Sequence, residues 1–218
     1  MNFIYKTVLF QTLLAVVCAH FSAAQCPGDD LIFNYQSEID SFPILYPNCK
    51  SVKNRVSINS TPPFQPDSDI RNLNGLLGID SIGEHLWITS KYLKNLKGVD
   101  SLKFVGGSVY LITDSLENLE GLGQLEHAVN LTLSDKNLSQ TSTKGIENLR
   151  TVQSIDIYAP HLVSLEGFIG LDSVGATLRL NGAAIHDLSG LGNLRTIETF
   201  GIYLMNLPHL QSLAGLDK

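Results

Sequence analysis

Cys26 and Cys49 are the residues whose chemistry can be named first. Two thiols left as an even pair in an oxidising compartment favour a disulfide, which would close a loop around the segment 25–50 and stabilise it by about 3 kcal/mol. The alternative, a reactive thiol or a metal pair, lacks any histidine cluster beside it. His85, His127, His161, His186 and His209 fall at different places in the repeats described below. His161 and His209 share an offset from a following glycine but stand two repeats apart, about 10 Å at strand spacing, too far to hold one metal ion. All five read as scattered surface histidines. Gly121-Leu122-Gly123 and Gly190-Leu191-Gly192 begin like a nucleotide loop, but Glu126 and Arg195 occupy the sixth positions, and repeat glycines explain both. There is no G-x-S-x-G elbow, no H-E-x-x-H pair and no paired C-x-x-C. The expectation is a chain with no catalytic residue, no metal site and no cofactor.

The remaining chemistry is that of a binding surface. Trp87, Tyr110, Thr132, Asp156, Arg179 and Tyr203 recur at equivalent positions, with Thr89, Ile112, Ser134, Tyr158, Asn181 and Met205 two residues further on. Each set lies between inward-facing residues, so both are expected on the outer face of a sheet, where small polar side chains are the commoner choice. Aromatic side chains with a polar tip are frequent anchors of binding surfaces. Trp87, Tyr110 and Ile112 would form one apolar patch, and Tyr158, Arg179 and Tyr203 a second, more polar one, to engage an extracellular protein or a glycan. The competing expectation is a structural spacer, in which the aromatics merely cover one another across strands. A glycan-cleaving enzyme would need two or three clustered carboxylates, and Asp156 stands alone on these columns.

The elements that must position these columns come from a repeat. Gly75, Gly98, Gly121, Gly145, Gly167, Gly190 and Gly215 follow one another at spacings of 23, 23, 24, 22, 23 and 25. Ile79, Leu102, Leu125, Leu149, Leu171 and Leu194 come four residues after the first six, and Ile82, Val105, Ala128, Val152, Val174 and Ile197 three residues later. Then comes an alternating pair: Leu86 and Ile88, Val109 and Leu111, Leu131 and Leu133, Ile155 and Ile157, Leu178 and Leu180, Ile202 and Leu204. Residues spaced by two share one face of a strand, so each repeat supplies one short strand with its pair pointing inward. A period near 23 suits one strand and two or three bends per coil. The predicted fold is a β-rich solenoid, a parallel coil with one short strand per repeat.

Two further columns support stacking. Asn72, Asn95, Asn118, Ser142, Ser164, Asp187 and Ser212 precede the glycines and are expected to bond the backbone of neighbouring coils at a bend. Asp80, Lys103, Glu126, Arg150, Asp172 and Arg195 alternate in sign, so coils stacked in register would place each charge between opposite ones.

Of the 218 residues, 44% are hydrophobic and the net charge is -6, with no Lys/Arg-rich run; the balance argues against nucleic acid as a partner. Met1–Ala24 has a lysine at Lys6, an apolar stretch from about Val8 to Ala19 and Ser22-Ala23-Ala24 before Gln25, the pattern of a secretory signal peptide cleaved before Gln25. Its apolar core is too short to span a membrane, and no other segment is a candidate for a transmembrane span. The expected localisation is secreted or cell surface.

The expected organisation is a signal peptide over 1–24, an N-terminal disulfide cap over 25–51, and about seven coils over 52–218. In the cap, Ser37–Phe42 reads as a helical turn N-capped by Ser37 and ended by Pro43. Val56 and Ile58 begin the strands, and the proline-rich 59–69 reads as an irregular insertion before Ile70 resumes the pattern. Sequons occur at Asn59, Asn130 and Asn137. The pattern stops at Lys218 where the next leucine is due and no polar cap follows, so the sequence reads as truncated, with its last coil a surface for self-association.

The block L-x-x-[VI]-G-G-x-[LV]-x-[LI], best preserved at Leu102–Leu111, followed by L-x-N-L-x-G-L at Leu116–Leu122, resembles the receptor L domain group of leucine-rich-repeat-like solenoids. It is most similar to exported surface proteins of the Bacteroidetes kind, which share a start like Ala24-Gln25-Cys26-Pro27 and a cap ending like Tyr46-Pro47-Asn48-Cys49. The resemblance covers Gln25 to Lys218. It implies a right-handed coil in the extracellular space, used for ligand binding or adhesion, with no ligand residues that carry over. The chain departs from the glycine pair at Gly83-Glu84, Ala128-Val129 and Val152-Gln153, where the bend is expected to vary.

Overall fold

The computed structural model describes residues 25–59, 69–135 and 141–216. The expected signal peptide, the insertion over residues 60–68 and the sequon at Asn137 lie outside the described residues.

In chain order the elements begin with β1 (Leu31–Phe33), helix α1 (Gln36–Leu45), β2 (Ser51–Val52), β3 (Val56–Ile58), β4 (Ser81–Ile82), β5 (Leu86–Ser90), β6 (Phe104–Val105) and β7 (Ser108–Thr113). They continue with β8 (Asn130–Asp135), β9 (Thr141–Ser142), β10 (Thr151–Tyr158), β11 (Leu162–Ser164), β12 (Ser173–Asn181), β13 (Thr196–Ile197) and β14 (Gly201–Met205). The main sheet runs β1-β3-β5-β7-β8-β10-β12, with β13 and β14 both against β12; β2-β4-β6 and β9-β11 form two smaller sheets. These pairings are all parallel. The chain is mostly parallel β-sheet with little helix, an order consistent with a β-rich parallel coil.

The inward positions are those the alternation marks. From Leu86 to Leu180 all ten residues of these strand pairs are at most 1% exposed. Burying one such side chain is worth about 1.5–3 kcal/mol, so each coil is held chiefly by what stacks on it. The expectation of one strand per repeat is too simple. Ser81–Ile82 and Phe104–Val105 form separate short strands, divided from β5 and β7 by the bends at Gly83 and Gly106-Gly107. At Val152-Gln153 that glycine pair is missing and β10 runs straight through, with an irregularity between Val152 and Ser154.

The short polar column works chiefly within each coil, although the Ser142 hydroxyl also donates to Glu166 of the next coil at 2.6 Å. Asn72, Asn95, Asn118, Ser142, Ser164, Asp187 and Ser212 each accept the backbone N–H two residues ahead, at 2.9 to 3.1 Å. These are Asx and Ser turns, which satisfy a donor that the bend would otherwise orphan. The glycine column serves the stacking. A Cβ on Gly75 would run into the Ile39 carbonyl and one on Gly121 into the Leu96 carbonyl, so the preceding coil packs directly on this backbone.

The charge column is stacked through its backbone: the N–H groups of Lys103, Glu126 and Arg195 donate to the carbonyls of Asp80, Lys103 and Asp172 at 2.8 to 2.9 Å. Among the described residues it closes one ion pair, Arg195 to Asp172 at 3.2 Å. Lys94–Glu117 and Lys97–Glu120, beside the turns, form two others at 3.1 and 3.0 Å. All three are solvent-exposed and contribute about 0–1 kcal/mol each.

The cap contains the disulfide Cys26–Cys49. Its helix begins earlier and ends later than expected. Ser37 lies inside it, and the Glu38 carboxylate does the capping, accepting the N–H groups of Asn34 and Tyr35 at 2.6 and 3.0 Å. Pro43 lies inside the helix and leaves the Ile39 carbonyl without its helical donor; that carbonyl packs on the backbone of Gly75. Ile39 and Phe42 are buried, and Phe33 meets Phe42 edge-on at 5.5 Å. The cap also adds β1 to the main sheet, a strand absent from the expected pattern. No helix among the described residues is long and apolar enough to cross a membrane.

Candidate functional site

Strand register aligns the outward columns as their spacing indicates. Trp87 pairs with Tyr110, Tyr110 with Thr132, Thr132 with Asp156, Asp156 with Arg179 and Arg179 with Tyr203. Thr89, Ile112, Ser134, Tyr158, Asn181 and Met205 align likewise beside them. Parallel in-register pairing makes this face a ladder of adjacent side chains, so each residue's neighbours are its counterparts in the coils on either side.

The two candidate patches differ in how far their members already satisfy one another. Trp87 and Tyr110 are half-buried, with ring centres 4.9 Å apart, and the Trp87 indole N–H donates to Thr89 Oγ1 at 3.2 Å. Ile112 beside them is 37% exposed. In the second patch the Arg179 guanidinium pairs with Asp156 and lies 5.6 Å from the centre of the Tyr203 ring. Tyr158 and Tyr203 are each 42% exposed. The paired charges leave this patch locally neutral, with two rings presented to solvent at its margins.

Above Trp87 the column continues to Ser57, which lies between the expected inward residues Val56 and Ile58, and to Ile32, which was missed in the sequence because it depends on β1. Ser57 is buried, and its hydroxyl has no hydrogen-bond partner among the described residues. Ile32 also lines a cleft of about 540 Å³ between β1 and α1, together with Asp29, Phe33, Glu38 and Phe42. None of the six candidate residues lines that cleft, which belongs to the cap.

Polar residues also occupy the inner face. Ser90, Thr113 and Asp135 are in register at the ends of β5, β7 and β8, and all are buried. The Ser90 hydroxyl oxygen accepts the N–H groups of Tyr92 and Leu93, and the Thr113 hydroxyl donates to Asp135 Oδ2 at 2.5 Å. Their parity is that of Leu86, Val109 and Leu131, so alternation alone was a sufficient signal for this buried column.

The histidines are not uniformly scattered. The Ser108 N–H donates to His85 Nδ1 at 2.9 Å, and His127 stacks on Phe104 with ring centres 4.9 Å apart. His186 and His209, exposed on successive coils, have ring centres 6.0 Å apart. Among the described residues no group of three or more His, Cys, Asp or Glu side chains is placed to hold a metal ion. Of the sequons, Asn130 lies within β8 with its amide donating to Ser108 Oγ at 3.0 Å, and Asn59 is buried. No protein-family model matches the chain, and no curated protein or solved structure does.

Proposed function

We propose that the chain is a leucine-rich-repeat-like, right-handed solenoid of the receptor L domain kind, exported to the cell surface or medium, which binds an extracellular protein or glycan through its outward strand face and performs no catalysis. The observation that carries this is the aligned outward column itself: Tyr158 and Tyr203 expose their rings around the Asp156–Arg179 pair, and Ile112 lies exposed beside Trp87 and Tyr110. A flat face of rings with fixed polar groups between them suits stacking and hydrogen bonding to a sugar ring, or burial under a protein surface. The disulfide in the cap supports an oxidising compartment.

A spacer role is favoured by one specific observation, the mutual cover of Trp87 and Tyr110 and the internal bond of the indole. A screen of the purified chain against glycan and extracellular-protein arrays separates the two. The binding role requires a reproducible ligand lost both in Trp87→Ser/Tyr110→Ser and in Tyr158→Ser/Tyr203→Ser, or in one of the two double variants, with circular dichroism and unfolding midpoint retained. Binding untouched by either double variant, or no ligand at all, overturns it in favour of the spacer.

A further inference from the structure

His186 and His209 stand on successive coils, and backbone hydrogen bonds between the two turns hold their main chains side by side. The N–H groups of Gln211 and Ser212 both donate to the His186 carbonyl, at 2.9 and 3.3 Å, which locks the last turn against the preceding one. Leu210 N–H closes on Leu207 at 3.3 Å and shapes the turn that carries His209. The rings lie 6.0 Å apart between centres, tilted by 53°. Among the described residues neither imidazole makes a side-chain hydrogen bond or an ion pair, unlike His85, whose Nδ1 is occupied. Asp187 beside them is engaged with the Ser189 N–H at 2.9 Å, so it adds no third ligand.

We propose that His186 and His209 form a two-imidazole site for a borderline divalent transition metal such as Zn²⁺ or Ni²⁺, on the exposed turn of the last coil. Metal–nitrogen bonds of about 2.0–2.1 Å place two ring centres around one tetrahedral ion at roughly 5 Å, so the two exposed rings need to close by about 1 Å from their present spacing to share an ion. Imidazole nitrogen suits this group of metals and not Mg²⁺ or Ca²⁺, whose ligands are oxygen. Water fills the remaining coordination positions. Two imidazoles carried on linked turns bind more tightly than two separate ones because the second bond forms without bringing the two stretches of chain together again. The site is independent of the strand face, since neither histidine lies on its columns.

The test is calorimetric titration of the tag-free full chain with NiCl₂ and with ZnCl₂, alongside H186Q, H209Q and, as a control, H161Q. One ion per chain is expected, weakened at least about tenfold in H186Q and in H209Q alike and unchanged in H161Q, because loss of either ligand leaves a lone imidazole. Imidazole NMR signals of His186 and His209 should respond together at the same ion concentration. Equal affinity in the parent and either single variant, or signals of the two rings responding at different concentrations, overturns the site. Both side chains are exposed, so the variants are expected to keep the parent's unfolding midpoint.

Discussion

The two ends of the main sheet bury the same repeat positions to different depths. At the β1 end, α1 closes over the first coil: Ile39 is fully buried, Phe42 is 4% exposed, and the Cys26–Cys49 bridge ties the cap together. At the β14 end, Ile197, Ile202, Leu204, Leu207, Leu210 and Leu216 pack against the core but are only partly buried, while Phe200 is 65% and Leu213 57% exposed. In a stacked sheet a side chain is covered by the coils on both sides of it, so a position's energetic weight depends on how many neighbours it has, not on its residue type. Leu133 and Leu204 hold the same place in their repeats and should differ severalfold in what they contribute.

The sharpest test of that contrast is the pair Leu133→Ala and Leu204→Ala, compared by urea unfolding. The first leaves a cavity in the middle of the sheet and should cost about 3 kcal/mol, the second about 1 kcal/mol. Equal costs would show that the last coil is as well packed as the central ones. Replacing both Cys26 and Cys49 by serine should cost about 3 kcal/mol on the loop-entropy view. Hydrogen exchange should then quicken in β1 and α1 and stay unchanged in β14; a change at both ends would mean that the sheet opens as one unit. In the parent chain, amides of β14 should exchange before those of β8. Asn118→Ala removes the acceptor of the Glu120 N–H in a central turn and should cost about 1 kcal/mol, read from the same unfolding curves.

The smallest effect belongs to Asp187 in the last repeat's turn. Its carboxyl is held below the ordinary value of 3.8, first by the Ser189 hydroxyl, then by the Ser189 N–H and lastly by His186. A carboxyl lowered in the folded state favours folding in its charged form, so its contribution is complete above pH 3.8 and is lost as the pH falls through the folded value. Asp187→Asn should flatten the acid limb of the stability profile slightly, and an unchanged limb would remove Asp187 from the account of that turn.

Much of this architecture was legible because it repeats. Alternation marks Leu131 and Leu133 as inward, and the same parity exposes Thr132 and Ser134 on the other face and buries Asp135. The glycine spacing locates the turns, although the partner of the polar column was misjudged: Asn118 closes its own turn because the nearest N–H two residues ahead is within reach without crossing to another coil. The cap was less legible. Glu38 rather than Ser37 caps its helix, since the N-cap is Tyr35, two residues before Ser37, and the helix continues past Pro43 to Leu45; β1 is too short to show a period.

The sequence by itself determined which face of each strand is buried, because a side-chain period of two and a repeat near 23 residues leave only one registration in which every apolar pair meets another. Only the tertiary structure decided which side chains of successive coils meet outside the strands. Counted back from the repeat glycine that follows, His209 pairs with His161; counted on from the repeat glycine that precedes, it pairs with His186, and the ring contact between His186 and His209 decides for the second count. The same holds for the outward face, where Trp87 covers Tyr110 and Arg179 turns to Asp156. Those contacts depend on the rotamers and backbone register of neighbouring coils, which a linear pattern does not contain.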